Sequence, residues 1–328
     1  MSEESELLAK WYAEKEAYRR WGSFVSCHIM KLIAARLDPR AAGHFVRIPV
    51  GVRLKDDESL LQKAFHRGKN YRAPYEEIED KVGIRFVLLL GQDVRLVGGA
   101  IESECEAWTV IKARDHEDEI ASSPYEFNYQ SLHFIVRSKA GLSWEEQDIP
   151  AGLPCEIQVR TLLQHAYSEV THDTLYKPSI KTTPAMKRAA AKSMALLEAT
   201  GDYFEDLDAL IADQVRPLRV LLSTLSDEYV RLVGKAAAAQ DSALNDLVLD
   251  RYGHDVNPDE LVEWLGSRAY IGTRISERTD RMAIFRIPSV LLVYYSVGIA
   301  PNGTPVDCPI SYTDLELIYG DLGLSLEG

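Results

Sequence analysis

Residues 154–161 constrain the fold more than any other stretch of the chain. They read PCEIQVRT, an alternation of apolar and polar side chains that predicts a half-buried strand. The polar positions Glu156, Gln158 and Arg160 point outward in this interpretation. Burying such side chains without partners is costly, so a face that carries all of them indicates a functional surface. Residues 162–176 then have the spacing of a helix.

Other segments before residue 180 also predict alternating helices and strands. Apolar residues at helical spacing predict one or two helices over 5–37, and a further helix is predicted over 57–67. Strands are predicted at 45–52, at the apolar run 83–90, and at 131–136, where every second residue is apolar.

The chain beyond Pro184 is helical in character. Two stripes of apolar residues recur with a period near 3.6, over 196–211 and 221–233. Asn257 before Pro258 is a typical helix start. We therefore expect two domains, residues 1–213 and a mostly helical segment at 214–328.

The bulk composition is that of a globular protein. Its formal net charge is -13, which argues against non-specific binding to a nucleic-acid backbone. The scattered cysteines have no zinc-ligand or disulfide spacing. We find no signal peptide and no apolar run long enough to span a bilayer, so we expect a cytoplasmic protein without a membrane partner.

A first cluster of candidate site residues is basic and precedes the apolar strand. Arg53, Lys55, Ser59 and Lys63 supply donors for a triphosphate if a loop enters a helix there. The alternative interpretation is a solvated basic helix face.

Asp80 and Arg85 flank the start of the same strand. A carboxylate at a strand edge is a common Mg²⁺ ligand in phosphoryl transfer, although a turn or helix-cap role is the alternative. Arg85 is suited to stacking on an adenine or pairing with a phosphate.

The last candidates lie on the two later strands. Tyr129, on the same polar face as His133, is placed to stack on a nucleobase, or is a surface aromatic. Glu156 is suited to accept the proton of an attacking hydroxyl while helping to hold a metal.

These motifs occur together in one family. In order and spacing the runs RLKDDESLLQK, EDKVGIRFVLLL, NYQSLH and EIQVRTLLQHAYSEVTHDTLYK resemble the synthetase domain of the RelA/SpoT alarmone synthetases, over roughly residues 45–180. The resemblance implies an α/β fold with a mixed sheet flanked by helices. It also implies a pyrophosphokinase that moves a diphosphate from ATP to the 3′-hydroxyl of GDP or GTP with Mg²⁺, and that often forms homo-oligomers.

The resemblance also implies a role for each matching residue. Asp80 and Glu156 are the catalytic and metal-binding pair. The ATP-binding residues are Arg53, Lys55, Ser59, Lys63 and Arg85. The acceptor-binding residues are Tyr129, His133, Gln158, Arg160 and His165.

The chain departs from the family pattern near the stacking tyrosine. Asn128 replaces a glycine, and Tyr125 stands where members that use guanosine nucleotides carry a lysine for the 5′-phosphates. His172-Asp173 lies inside the helix predicted over 162–176, so no alarmone hydrolase is expected.

Two other functions remain open for this sequence. One is a toxin that pyrophosphorylates the 3′-CCA end of tRNA and is restrained by residues 214–328. The other is a catalytically inactive module that senses nucleotides. In every case the C-terminal segment is expected to bind a regulator or to mediate oligomerisation.

Overall fold

The computed structural model divides the chain into two units, Met1–Leu207 and Asp208–Gly328, each with a hydrophobic core of its own. The predicted boundary at 213/214 and this division both fall inside one long helix. The residues that the structure describes are 2–37, 45–66, 68, 71–123, 131–175, 182–236 and 242–326.

A mixed β-sheet is the centre of the first unit. Within the described ranges its strand order is β1-β2-β7-β4-β3, and β5 and β6 form a separate hairpin. β2 and β7 run parallel, whereas the other neighbours in the large sheet are antiparallel. The strands are β1 (Val52–Leu54), β2 (Val82–Leu88), β3 (Trp108–Arg114), β4 (Leu132–Ser138), β5 (Leu142–Trp144), β6 (Gln147–Ile149) and β7 (Pro154–Thr161).

Helices flank this sheet. The long α1 (Glu3–Ala34) contacts β1, β2 and β7. The others in the first unit are α2 (Asp57–Leu61), which continues as a π-helical turn (Gln62–His66), α3 (Pro74–Glu77), α4 (Gly91–Ser103), α5 (His116–Ser122) and α6 (Leu162–Leu175). The expected mixed sheet flanked by helices is thus confirmed.

Strand alternation separates the two faces of the sheet. One face carries the buried apolar residues of β2, β7 and β4, among them Phe86, Ile157 and Phe134, and they share a core with Trp11 and Trp21 of α1. The intervening positions are more polar and less buried. The polar face is therefore left for the site.

The strand predicted at 45–52 is wrong. Residues 45–51 are irregular, and only 52–54 form a strand. Pro49 lacks an N–H for a ladder hydrogen bond, although the Arg47 N–H donates to the carbonyl of Val87 at 2.8 Å.

The second unit is helical, as expected. The helix α7 (Pro184–Val233), which begins within the first unit, contains both predicted stripes. The remaining helices are α8 (Ser242–Tyr252), α9 (Pro258–Gly266), α10 (Tyr270–Ser276), a 3₁₀ turn (Ala283–Arg286), α11 (Val290–Ile299) and α12 (Tyr312–Asp321). The predicted start of α9 is confirmed, because the Asn257 side chain accepts from the Asp259 N–H.

The core of this unit surrounds α11, whose residues from Val290 to Tyr294 are fully buried. Across the described ranges, no helix combines the length and the apolar character needed to cross a membrane.

Candidate functional site

A cleft of about 640 Å³ opens over the polar face of the sheet. Most of the predicted site residues meet here: Arg53, Lys55, Ser59, Asp80, Arg85, His133, Glu156, Gln158 and His165. They come from β1, α2, β2, β4, β7 and α6, with Lys55 just after β1 and Asp80 just before β2. The fold thus brings together residues more than 100 positions apart in the chain.

Two lysines and one carboxylate occupy one side of the cleft. Asp80 Oδ2 lies 2.7 Å from Lys55 Nζ and 2.8 Å from Lys63 Nζ. Burial alone would raise the pKa of Asp80, but the hydrogen bonds from both lysines outweigh it and hold this pKa below its ordinary value. Asp80 is therefore an anion between two cations.

The second oxygen of Asp80 is in a different situation. Asp80 Oδ1 is buried, and no described residue forms a hydrogen bond with it. A buried carboxylate oxygen without a partner is unfavourable, and a hard cation is a suitable partner. Asp80 Oδ1 is therefore the atom on which the expected Mg²⁺ site depends. Within the described residues, no group of three or more His, Cys, Asp or Glu could hold a metal ion.

The neighbour of Asp80 has a structural role. Glu79 Oε1 accepts from Arg137 Nη2 at 2.6 Å, so of the Glu79-Asp80 pair only Asp80 faces the cleft.

The helix start near Ser59 carries a carboxylate that the sequence analysis did not assign. Asp56 caps α2, and its Oδ1 accepts from the Ser59 N–H at 2.8 Å. Hydrogen bonds to the Ser59 backbone and hydroxyl lower the pKa of Asp56. After α2 the chain widens into the π-helical turn that carries Lys63, a feature often found at functional sites.

Two rows of side chains cross the sheet beneath the cleft. Gly83 is in register with Arg53 on one side and with Glu156 on the other. Because Gly83 has no side chain, this row has none between Arg53 and Glu156. In the next row Gln158 is in register with Arg85 and with His133.

Both oxygens of Glu156 have neighbours. Gln158 Nε2 donates to Glu156 Oε2 at 3.2 Å, and His133 Nδ1 lies 3.6 Å from Oε1. The carboxylate is about three-quarters buried, with its side chain 25% exposed. It is therefore oriented but still accessible from the cleft.

Arg160 does not point outward with Glu156 and Gln158, as the sequence suggested. It is fully buried, because α6 begins at the end of β7 and packs against β7 and β2. Alternation identified its side of the strand correctly but not the helix that covers it.

A residue that sequence reasoning missed links this arginine to the cleft. Glu169 Oε1 lies 3.2 Å from Arg85 Nη1, 3.9 Å from Arg160 Nη2 and 3.6 Å from His165 Nδ1. Burial, with the nearby charge of Arg160, lowers the pKa of His165. The i,i+4 spacing from His165 was the one available signal for Glu169.

Two other predicted residues complete the list. Lys63 takes part through its ion pair with Asp80, whereas Tyr129 lies outside the described residues.

Solved structures of other proteins are similar to part of this chain. A GTP pyrophosphokinase family protein from Streptococcus pneumoniae has a similar fold, with a TM-score of 0.50 and 18% identity over 62% of this chain and 95% of that one. For small alarmone synthetase 1 from Bacillus subtilis, bound to its product pppGpp, the TM-score is 0.48 and the sequence identity is 19%, over 62% of this chain and 99% of that one. No curated protein shows a significant match.

A family model provides the most direct assignment. The model described as the region found in RelA/SpoT proteins matches residues 52–181. This match begins at β1 and includes every residue of the cleft named above. The chain therefore contains a RelA/SpoT region.

Proposed function

We propose that this chain is a pyrophosphokinase that transfers a diphosphate from ATP to the 3′-hydroxyl of GDP or GTP, forming (p)ppGpp. The observation that carries the proposal is the position of Asp80. One of its oxygens is paired with Lys55 and Lys63, and the other is buried without a described hydrogen-bond partner. Such an arrangement suits a site where phosphate oxygens and a cation enter together.

The proposed ATP half of the cleft is basic. Lys55 and Lys63 supply ammonium groups for phosphate oxygens, and the Ser59 hydroxyl lies beside them. Arg53 and Arg85 are on the same face of the sheet, where planar guanidinium groups can stack on an adenine from two sides. Glu169 holds Arg85 in place from α6.

Glu156 is the proposed general base. It accepts the proton of the acceptor 3′-hydroxyl, whose oxygen attacks the β-phosphorus of ATP. The bond from that phosphorus to the oxygen bridging the α- and β-phosphates breaks, and AMP leaves. Because little covalent chemistry falls to the protein in phosphoryl transfer, positioning and charge stabilisation provide most of the catalysis.

Asp80 and Glu156 would hold Mg²⁺. When bound, the ion neutralises charge on the phosphate oxygens. Magnesium in proteins usually takes one or two carboxylates and keeps waters and substrate phosphates as its other ligands.

The acceptor half comprises His133, Gln158 and His165. Arg160 is too deeply buried for direct contact with a ligand, so its proposed role becomes support of Glu169 and His165. Tyr129 retains its proposed role of stacking on the acceptor base.

A tRNA 3′ end is the alternative acceptor, because Tyr125 replaces the lysine expected for guanosine nucleotides. The net charge of -13 favours the small nucleotide over a large polyanion. We also propose that the segment 214–328 binds a regulator of this activity.

The test is transfer of label from γ-³²P-ATP, with Mg²⁺, into GDP, GTP, adenine nucleotides and deacylated tRNA in parallel. Label in GDP or GTP is the expected result. Label only in tRNA would show that tRNA, not GDP or GTP, is the acceptor. The protein would then be a toxin that stops translation. ATP binding without transfer to any acceptor would support the inactive sensing module and overturn the proposal.

Glu156→Gln is the matched variant for this assay. It is expected to abolish transfer with ATP affinity nearly unchanged, because the amide keeps the shape but cannot accept the proton. Unchanged turnover would remove Glu156 as the base.

A further inference from the structure

A buried serine beside the cleft has no part in the function proposed so far. Ser131, just before β4, is fully buried, and its Oγ lies 2.5 Å from His133 Nε2. A contact this short, inside the protein, fixes one nitrogen of the ring in a hydrogen bond with the serine hydroxyl.

The other nitrogen of the same ring faces the proposed base. His133 Nδ1 lies 3.6 Å from Glu156 Oε1, and the His133 side chain is only 17% exposed. This separation is longer than a hydrogen bond, but such contacts in ligand-free enzymes often tighten when substrate binds. Ser131, His133 and Glu156 thus form a chain that ends at the carboxylate.

The proton positions on the Ser131, His133 and Glu156 side chains follow from what each group can donate or accept. If Nε2 carried the only ring proton, the lone pair of Nδ1 would face a carboxylate oxygen, and the two would repel. If Ser131 donates its hydroxyl proton to Nε2, Nδ1 carries the proton and presents it to Glu156. The second arrangement satisfies every group, since the hydrogen bond at one ring nitrogen sets the state of the other.

We propose that Ser131 is a positioning residue: its buried hydroxyl donates to His133 Nε2 and holds the ring as the Nδ1–H tautomer, which in turn orients Glu156. The catalytic consequence rests on the proposed function of Glu156, but the tautomer does not.

Glu156 gains a fixed direction from this arrangement. Gln158 holds Oε2 from the same strand, and the Nδ1–H of His133 approaches Oε1 from β4. A carboxylate bracketed from two strands keeps a lone pair aimed into the cleft, where the acceptor hydroxyl would lie. Loss of either partner leaves the side chain free to rotate away.

The direct test is ¹⁵N NMR of histidine-labelled full-length protein at neutral pH, with His133→Asn used to assign the His133 signals. We expect the Nδ1–H pattern in the native chain and loss of that preference in Ser131→Ala. An Nε2–H pattern or a doubly protonated ring in the native chain would overturn the proposal, as would an unchanged tautomer in the variant. This experiment needs no acceptor, so its result stands even if no transfer is found.

The second test is the transfer assay with the acceptor that the native chain uses. Ser131→Ala is expected to lower kcat about 10- to 100-fold, the usual effect of losing a group that orients a ligand or base, with the KM for ATP unchanged. His133→Asn keeps an amide donor near the Nδ1 position and no longer depends on the serine. In that background Ser131→Ala should have no further effect, and an equal loss there would show that Ser131 does not act through His133.

Ser138→Ala is the matched control. Ser138 is a buried serine at the other end of β4, and its Oγ donates to the Pro150 carbonyl at 2.7 Å, away from the cleft lining. Its loss should affect thermal stability but leave kcat and the His133 tautomer as in the native chain. If it lowered kcat as Ser131→Ala does, the effect would be one of strand stability, against the proposal.

Discussion

Lys55 Nζ lies 2.7 Å from Asp80 Oδ2 in the cleft, so the lysine proposed to bind phosphate is paired with the proposed metal ligand. Both side chains are mostly buried, at 16% and 21% exposed. A charged pair inside a cleft loses much of its hydration. An entering phosphate with its cation provides each member with a new partner and compensates for separating the two.

Lys55→Met should therefore weaken ATP binding strongly. A charge-assisted hydrogen bond contributes about 1.5–3 kcal/mol, which corresponds to a loss of about 10- to 100-fold in ATP affinity. Isothermal titration of the full chain with ATP and Mg²⁺ measures this.

Lys139→Met is the control for the lysine substitution, because Lys139 donates to the Cys105 carbonyl outside the cleft lining. Its ATP affinity should equal that of the native chain. Equal ATP affinities in the two variants would show that Lys55 does not bind ATP.

Two glycines in helix interiors should respond in opposite directions to alanine. A Cβ at Gly22 in α1 would lie 2.5 Å from Val52 Cγ1 and 2.8 Å from Val82 Cγ2. Valine is stiff at χ1, so neither methyl can move away cheaply, and overpacking of this kind costs about 1–3 kcal/mol. At Gly99 in α4, nothing described lies within 4 Å of the new Cβ.

We expect Gly22→Ala to lower the urea midpoint of the first unit. Gly99→Ala should raise the midpoint, because the higher helix propensity of alanine adds up to about 1 kcal/mol to the free energy of unfolding. The two midpoints, followed by circular dichroism, check this. A midpoint of Gly22→Ala at or above the native value would show that the contact of α1 with β1 and β2 is looser than the structure has it.

Glu104 should make the first unit sensitive to acid. Its Oε2 lies 2.8 Å from His28 Nε2, and its Oε1 accepts from the backbone N–H groups of Glu106 and Ala107. Burial would raise the pKa of Glu104, but the hydrogen bonds from His28 and these amides outweigh it and lower the pKa. A folded-state pKa below the unfolded one adds stability at higher pH, which is lost as the pH falls through the folded value.

Glu104→Gln should therefore be less stable than the native chain at pH 7, and its stability should fall less steeply below the ordinary glutamate value of 4.5. The exposed neighbour Glu106→Gln serves as control and should follow the native curve. Urea midpoints between pH 3 and 7 provide the comparison, and parallel curves for Glu104→Gln and the native chain would contradict the assignment.

The sequence predicted those elements whose pattern depends on local geometry. The alternation over 154–161 gave a strand because a period of two is a property of the strand itself. Arg160 was misplaced because its burial depends on α6, which follows it in the chain but folds back over β2. The strand predicted at 45–52 failed for the opposite reason, since a local residue, Pro49, interrupts an otherwise suitable pattern.

The candidate site was predictable as a set of residues but not as a set of contacts. Lys55, Lys63 and Asp80 were each named for a ligand, whereas their mutual pairing requires β1, the π-helical turn and β2 to converge. Glu169 escaped notice because its hydrogen-bond partner Arg85 is 84 positions away in the sequence.

The second unit contains a buried ion pair that allows a sharper test of stability. Asp321 in α12 accepts from Arg278 through both oxygens, with Nη2 to Oδ1 at 2.9 Å, and from the Tyr294 hydroxyl at 2.5 Å. Its side chain is only 7% exposed. Burial and the bond to Asp321 raise the pKa of Tyr294 far above its ordinary value, so the hydroxyl stays a donor throughout the stable pH range.

Asp321→Asn should destabilise the second unit by about 3–5 kcal/mol, because it leaves the Arg278 charge buried without its counter-ion. Asp213→Asn is the matched control, since Asp213 and Arg216 form a pair with side chains 64% and 72% exposed, and exposed pairs contribute about 0–1 kcal/mol. Replacing both partners, in Arg278→Met with Asp321→Leu, should recover part of the loss, because no charge is then stranded. Urea unfolding of the three variants separates the two contributions: a double variant as unstable as Asp321→Asn would mean that the stability comes from the hydrogen bonds of the pair and not from charge compensation.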